Sequence, residues 1–228
     1  MSTSKPIFKP IFPIPFGYAN FGEKIRHFNS DLIRDIEKER SVSKGKKRTF
    51  AKNSSGWQSE VGLENKYENF DQLAKIILIT AKPILYSSGV SKKEKLTVNG
   101  VWANLIFAAG GFSNPHIHGS GTTIWTGVYY PKGITEEDNL DNFDETKHFG
   151  YGIPNVPGTL VCKDQNIAKR VVKFEKNNRA GYGYYGHVFS IIPRESLLVL
   201  FPAWLEHYVT PTVDNSKRYS ISFAINVR

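Results

Sequence analysis

The 228-residue chain has very little cysteine and no long apolar run, and each absence excludes a class of protein. Its one cysteine, Cys162, cannot form an intrachain disulfide, so nothing requires an oxidising compartment and we expect a cytoplasmic protein with an inert core thiol. The longest apolar runs, at 76–79 and 197–201, fall far short of the roughly 20 residues that a membrane-spanning helix needs. Residues 1–9 lack the apolar core of a signal peptide, so we expect neither export nor membrane insertion.

The composition is that of an ordinary globular domain with a basic excess. Charged residues make up 22% of the sequence and aromatic residues 13%, which excludes disordered and fibrous classes. Thirty Lys and Arg against 21 Asp and Glu give a formal net charge of +9, which attracts anionic small molecules, nucleic acid or acidic protein surfaces. Basic residues concentrate in 38–52 and acidic residues in 136–145. Both stretches are typical of solvated loops, with a polyanion-binding arm as the alternative for the first.

The first 95 residues are predicted to support a β-rich core. The repeated Ile-Phe-x-Pro pattern at 7–13 favours an extended covering strand, although its apolar side chains would suit a second copy of the chain equally well and leave a homodimer open. Ser30 is expected to cap one helix, and a second begins near Asn69 and ends or kinks at Pro83. We therefore assign 1–95 to a covering strand and support helices packed on the core.

From residue 96 onward the pattern becomes that of short β-strands. No crossover helix fits between the runs, so we predict antiparallel sheets that close as a jelly roll over 96–228, in one mainly β domain with flanking helices (α+β). The polar stretch 132–158 is long for a hairpin and predicts a functional lid or recognition loop. The predicted strands are 96–107, 122–130, 159–162, 171–174, 187–192, 197–201, 208–210 and 218–227.

Three histidines are the candidate metal ligands. His116 and His118 are two residues apart, so on a strand their imidazoles point to the same face. Such a pair is by itself more often structural. A third histidine, His207, lies far downstream beside the apolar run 197–201, and a distant third ligand is what a metal site inside a barrel requires. Together the three histidines predict a metal centre.

A candidate anion site follows on the last strand. Residues 218–223 alternate polar and apolar, which places Arg218 and Ser220 on one face. Inside a barrel an unpaired guanidinium would cost roughly 3–5 kcal/mol, so Arg218 requires a carboxylate. A bound dicarboxylate would supply one, since Arg grips carboxylates bidentately; an internal salt bridge is the alternative. Tyr130 is expected to point inward towards a bound oxoacid, and Asn104 is a further candidate for the pocket wall.

Taken in order, the motifs resemble the 2-oxoglutarate/Fe(II) oxygenases, specifically a small family of phages and bacteria. The resemblance spans most of the chain and implies a cupin-like double-stranded β-helix. It implies Fe(II) on His116, His118 and His207, and 2-oxoglutarate with its distal carboxylate on Arg218. The motifs that carry it are Gly-Trp-Gln-Ser (56–59), Asn-Pro-His-Ile-His (114–118), Thr-Gly-Val-Tyr-Tyr (126–130), Phe-Pro-Ala-Trp-Leu-Glu-His (201–207) and Arg-Tyr-Ser-Ile-Ser-Phe (218–223).

The implied activity is that of a dioxygenase, an oxidoreductase that uses 2-oxoglutarate and O2 to hydroxylate a C–H bond and releases succinate and CO2. The predicted oxoacid-binding set is Arg218, Ser220, Tyr130 and Asn104, with no catalytic residue beyond the metal ligands. If the gene is phage-borne, the compartment is the host cytoplasm. The sequence does not identify the primary substrate, which leaves a peptide side chain, a nucleotide or a metabolite.

One departure from the wider superfamily leaves alternatives open. Most of its members have Asp or Glu where His118 stands, giving two histidines and one carboxylate. Three imidazoles occur in iron dioxygenases that do not use 2-oxoglutarate, which is the first alternative. A carboxylate from Glu206, beside His207, is a second way to complete the site. The third alternative is a non-catalytic jelly-roll module that binds nucleic acid or another ligand.

Overall fold

The computed structural model describes residues 13–46, 55–119, 121–134, 139–166 and 187–227. Within these ranges two helices longer than one turn, α1 (Arg26–Val42) and α2 (Glu68–Ser87), accompany a short helix, α3 (Glu145–His148). The strands are β1 (Gly17–Asn20), β2 (Gly56–Gln58), β3 (Leu96–Ile106), β4 (Ser113–His116), β5 (Thr123–Tyr130), β6 (Phe149–Tyr151), β7 (Leu160–Lys163), β8 (Val188–Ile191), β9 (Leu197–Pro202), β10 (Glu206–Val209) and β11 (Arg218–Val227).

The strands form two antiparallel sheets. The larger has the order β1-β9-β5-β11-β3-β2, and the smaller has the order β4-β10-β7-β8-β6. Every strand pair in both sheets is antiparallel. The predicted mainly β fold with antiparallel sheets and few helices is confirmed. From the N-terminal part of the chain, β1 and β2 join the two edges of the larger sheet, and the division at residue 95 stays a prediction.

The core has two parts, one on each face of the larger sheet. On the outer face, α1 and α2 bury Leu32 and Ile77 against residues of β3 and β11 such as Leu105 and Phe223. On the inner face, side chains of β5 and β9 meet those of β7 and β8 between the two sheets. Because side chains alternate along a strand, consecutive residues of β5 serve different parts of the core.

Cys162 lies in the core between the sheets, as predicted. It is 3% exposed, and burial raises the pKa of its thiol to about 12. A thiol with that pKa carries almost no thiolate near neutral pH, so it behaves as a small apolar side chain.

Helix α1 differs from the sequence expectation at its start, and α2 does not end at the proline that was predicted to end or kink it. Helix α1 begins at Arg26, and Ser30 lies inside it with its Oγ donating to the Arg26 carbonyl, so the predicted cap is wrong. Helix α2 continues through Pro83 to Ser87. Proline removes the N–H that would bond the Ile79 carbonyl, but this turn faces solvent, since Ile79 is 71% exposed. Water can bond that carbonyl, so the helix does not have to end.

The acidic stretch 132–158 is not a loop throughout. It contains α3 and β6, and β6 pairs with β8 at the edge of the smaller sheet. A three-residue strand is too short to show alternation in the sequence. It is held by aromatic packing, with the Phe149 ring 5.4 Å from Phe16 and 5.0 Å from Tyr18.

Several predicted features lie outside the described residues. These are the strand at 171–174, nearly all of the covering segment 7–13, and the last part of the basic stretch 38–52. Among the described helices, none has the length and hydropathy needed to cross a membrane.

Candidate active site

The three predicted histidines come together at one end of the smaller sheet. Strands β4 and β10 are neighbours there, and His207 lies directly opposite His116. Strand β4 ends at His116, so His118 is not on the strand as predicted. Its position is fixed by its backbone N–H, which donates to the Ala203 carbonyl at 2.8 Å. One ring nitrogen from each of the three histidines lies within 4.8 Å of the other two.

Backbone carbonyls orient two of the imidazoles. Nδ1 of His116 lies 2.7 Å from the Asn114 carbonyl oxygen, and Nδ1 of His207 lies 2.9 Å from the Leu205 carbonyl oxygen. In each case Nδ1–H donates to the carbonyl two residues earlier, so Nε2 carries the free lone pair. Nε2 of His118 lies 3.2 Å from Nε2 of His207. Two nitrogen lone pairs this close repel each other unless a proton or a metal ion lies between them.

The histidines are held in the form that binds metals. Burial lowers the pKa of His118 to about 4 and that of His207 to about 3, and in both cases a positive charge on His116 would lower it further. Both imidazoles are therefore neutral at pH 7. Metal ions bind neutral imidazole, so neither His118 nor His207 has to lose a proton before a metal enters.

A cavity of about 350 Å³ lies between the two sheets and includes the three histidines in its wall. This volume is within the range of small-molecule sites. The Trp102 ring centroid is 5.3 Å from that of His118, and the Phe201 centroid is 4.9 Å from that of His207. These aromatic rings limit the water around the ligand nitrogens. Neither residue is predicted from the sequence for this role, although strand alternation places Trp102 on the face of Asn104 and Phe201 lies on a buried strand.

Arg218 lies in the same cavity wall and is 4% exposed. Its Nε donates to the Gly158 carbonyl at 2.9 Å, and its Nη1 donates to Ser220 Oγ at 3.1 Å. Burial lowers the pKa of Arg218, but a guanidinium stays protonated at neutral pH. Among the described residues, no Asp or Glu pairs with Arg218, so the alternative of an internal salt bridge has no partner there. A buried cation of this kind requires an anion from outside.

Tyr130 lies beside Arg218 and does not line the cavity. The guanidinium carbon of Arg218 is 5.5 Å from the centre of the Tyr130 ring. Tyr130 is fully buried, with the Arg218 guanidinium as a neighbouring donor, and within the described parts of the chain its hydroxyl has no acceptor for its own proton. Burial raises the pKa of Tyr130 to about 12, with the charge of Arg218 acting in the opposite direction. The hydroxyl is therefore a neutral donor without an acceptor.

Asn104 lines the cavity next to Ser220, its cross-strand partner on β11. Its side-chain Nδ2 donates to Ser222 Oγ at 3.0 Å, so part of its hydrogen-bonding capacity is used within the wall. The four predicted oxoacid residues thus occupy one region. Arg218, Ser220 and Asn104 form the cavity surface, and Tyr130 lies behind it.

Glu206 does not approach the histidine cluster. Its Oε1 lies 2.6 Å from Nζ of Lys163 on the neighbouring strand, because residues adjacent along a strand point to opposite faces. The structure therefore gives no support to Glu206 as a metal ligand. Three further histidines, His27, His148 and His187, also lie outside the cluster.

Comparison with known proteins agrees with this arrangement. The family model described as "Putative 2OG-Fe(II) oxygenase" matches residues 100–224, which is more than half of the chain and includes all three histidines and Arg218. The chain belongs to the 2OG-Fe(II) oxygenase family. It is therefore a 2-oxoglutarate-dependent oxygenase, an oxidoreductase whose cofactors are Fe(II) and 2-oxoglutarate.

Solved structures show the same fold at low sequence identity. A prolyl-4-hydroxylase from Pseudomonas putida has a TM-score of 0.60 at 12% identity, over 94% of each chain. A Trichoplax adhaerens prolyl hydroxylase, in complex with a hypoxia inducible factor peptide, has a TM-score of 0.55 at 14% identity, over 93% of this chain and 83% of that one. HygX from Streptomyces hygroscopicus, with nickel and 2-oxoglutarate bound, has a TM-score of 0.52 at 11% identity, over the same shares. The predicted double-stranded β-helix is confirmed. No curated protein matches the oxygenase in sequence.

The residues present fit the cofactors of this family. Three converging imidazole nitrogens form a donor set suited to a divalent first-row metal. An unpaired buried guanidinium and an unpaired buried hydroxyl form a donor set suited to a carboxylate. The three histidines and Arg218 line a single cavity, as a metal and its oxoacid co-substrate require, and Tyr130 lies directly behind Arg218.

Proposed function

We propose that His116, His118 and His207 hold Fe(II), and that Arg218 with Ser220 and Tyr130 binds the distal carboxylate of 2-oxoglutarate. The enzyme then hydroxylates a C–H bond of its substrate. The observation that carries the proposal is the shared cavity: a cluster of three imidazoles and a buried cation that has no carboxylate partner among the described residues face the same space. Asn104, on the same wall, is assigned to the rim of the oxoacid site.

The protein contributes positioning and electrostatics. Bound Fe(II) supplies the activation of O2, and 2-oxoglutarate supplies electrons as it becomes succinate and CO2. The carbonyls of Asn114 and Leu205 hold two imidazoles with Nε2 directed into the site. Because all three ligands are uncharged, the positive charge of the metal is balanced by the oxoacid. This favours the dianionic co-substrate over neutral molecules of the same size.

Arg218 selects for a carboxylate. A charge-assisted hydrogen bond contributes about 1.5–3 kcal/mol, and little water competes for a group that is 4% exposed. The Gly158 and Ser220 contacts fix the plane of the guanidinium, so that its remaining N–H donors need no reorganisation when the anion binds.

We propose a peptide side chain as the substrate class. Two large apolar side chains, Ile117 and Trp204, are 51% and 47% exposed, and each is next to a residue of the His118–Ala203 hydrogen bond. Exposed apolar side chains this close in the chain to the metal-ligand segment suit a substrate larger than a free metabolite. The similar Trichoplax enzyme is seen with a peptide. A nucleotide or a small metabolite is the competing substrate class.

Other features stay predictions from the sequence. These are the cytoplasmic location, the phage origin, the homodimer, binding of nucleic acid and the division of the chain at residue 95.

The metal assignment is tested by titrating Fe(II) into the protein without oxygen, followed by measurement of succinate release. Alanine at His116, His118 or His207 should lower Fe(II) affinity by at least about tenfold and abolish succinate. His27→Ala is the matched control, because His27 is an exposed histidine outside the cluster. Unchanged iron affinity in His118→Ala would remove the three-histidine site.

The same assay separates the alternative chemistry. Omitting 2-oxoglutarate should stop turnover. Oxygen consumption that continues without it would favour the dioxygenase class that uses three histidines and no oxoacid. Substrate class is tested by incubating the iron-loaded enzyme with a peptide library and with nucleotides, and following the gain of one oxygen atom by mass spectrometry.

A further inference from the structure

One peptide group behind the cavity connects Arg218 to the smaller sheet. The Gly158 carbonyl accepts the hydrogen bond from Arg218 Nε at 2.9 Å, and the Thr159 N–H donates to Thr210 Oγ1 at 3.0 Å. This carbonyl and this N–H belong to the same planar peptide unit, so fixing one fixes the direction of the other. We propose that the Gly158–Thr159 peptide, held by Thr210, is the positioning element that sets the orientation of Arg218 for 2-oxoglutarate. This inference rests on the proposed role of Arg218.

Further hydrogen bonds make the peptide group rigid. The Thr210 N–H donates to the Thr159 carbonyl at 2.9 Å, and Thr159 Oγ1 donates to the Val156 carbonyl at 2.6 Å. Thr159 is completely buried. It directly precedes β7, and Thr210 directly follows β10, so the contact extends the pairing of these two strands by one step. Because β10 also carries His207, the metal site and the oxoacid site are aligned by the same strand.

The contact leaves the guanidinium with a defined free edge. Arg218 uses Nε for Gly158 and Nη1 for Ser220, and its other N–H donors stay available for an anion. A lysine would keep the charge but could not make both contacts with a fixed plane. The orientation of this edge therefore depends on where the Gly158 carbonyl points.

Position 158 favours glycine for two reasons. Its φ of +74° is a conformation that L-residues rarely adopt, and a Cβ there would lie 3.4 Å from Arg218 Cδ and 3.6 Å from Thr212 Cγ2. An alanine at position 158 would relieve this strain by rotation of the 158–159 peptide, and the rotation would turn the carbonyl away from Arg218 Nε. Gly152 provides a matched comparison in the same stretch of chain, because its φ is +96° but a Cβ there would meet nothing within 4 Å.

The test is calorimetric titration of 2-oxoglutarate into the Fe(II)-loaded protein without oxygen, together with KM and kcat from succinate release. Thr210→Val keeps the side-chain shape and removes the acceptor, and should raise the Kd for 2-oxoglutarate by about two- to tenfold. Thr210→Ser restores the oxygen and should restore the Kd. Gly158→Ala should raise the Kd and the KM, whereas Gly152→Ala should leave both unchanged. Fe(II) affinity and kcat at saturating 2-oxoglutarate should stay near the wild-type values in all four variants.

Arg218→Met separates failure of this inference from failure of the proposed function. If Arg218→Met raises the Kd while Thr210→Val and Gly158→Ala do not, the positioning role is overturned and the role of Arg218 stands. If Arg218→Met also leaves the Kd unchanged, Arg218 is not the anchor and both proposals fall. Should Gly158→Ala not fold, the Thr210→Val and Thr210→Ser pair decides the matter.

Discussion

Replacing Tyr130 by phenylalanine should change stability and co-substrate affinity in opposite senses. The substitution removes one hydroxyl that is fully buried and has no acceptor for its proton in the described structure. An unsatisfied buried polar group costs about 1–3 kcal/mol, so without cofactors the variant should be at least as stable as the wild type, and up to about 3 kcal/mol more stable.

The same substitution should weaken the binding of 2-oxoglutarate. If the hydroxyl donates to the oxoacid carboxylate, its removal forfeits a charge-assisted bond of about 1.5–3 kcal/mol, which corresponds to a roughly 10- to 150-fold higher Kd. Urea unfolding of the metal-free protein measures the free energy of unfolding. Calorimetric titration of 2-oxoglutarate into the Fe(II)-loaded protein, without oxygen, measures the Kd for 2-oxoglutarate.

Tyr129 provides the matched control on the opposite face of β5. Its hydroxyl donates to Asn29 Oδ1 in the part of the core next to the helices. Tyr129→Phe should therefore lower the free energy of unfolding by about 1 kcal/mol and leave the Kd for 2-oxoglutarate unchanged. The reasoning is refuted if Tyr130→Phe behaves in the same way, because Tyr130 would then be only a core residue.

Three further predictions follow from the site. The lowered pKa values of His118 (about 4) and His207 (about 3) mean that the folded, metal-free protein binds fewer protons than the unfolded chain below pH 6.5. Its melting temperature should therefore fall as the pH drops from about 6.5 towards 4 and stay flat above 7, and a melting temperature independent of pH in this range would contradict the assignment. Arg218→Met should raise the Kd for 2-oxoglutarate at least about tenfold, measured by titration, with Arg218→Lys between it and the wild type. Glu206→Gln should break the ion pair with Lys163 and leave Fe(II) affinity unchanged; a clear loss of iron would restore Glu206 as a ligand.

Alternation of side chains explains most of what could be predicted from the sequence. It placed Arg218 and Ser220 on one face of a strand, and the structure puts both in the cavity wall. It also separated Tyr130 from Tyr129. The family resemblance rested on motifs that contain these same positions.

Features that depend on backbone contacts between distant segments had no signal in the sequence. His118 lies beyond the end of β4, and its place depends on a hydrogen bond to the Ala203 carbonyl. The Gly158 carbonyl acts through an atom that every residue possesses, so no residue type marks it. The edge strand β6 was read as loop because aromatic packing, rather than alternation, holds it in place.

The register of β10 limits which sequence changes this protein can accept during evolution. Glu206, His207 and Tyr208 follow one another on this strand, and a shift by one residue exchanges its two faces. The imidazole would then point out of the cavity, and Thr210 would lose its place opposite the Thr159 amide. The turn between β9 and β10 is therefore fixed in length, since a single insertion would disable iron binding and oxoacid binding together.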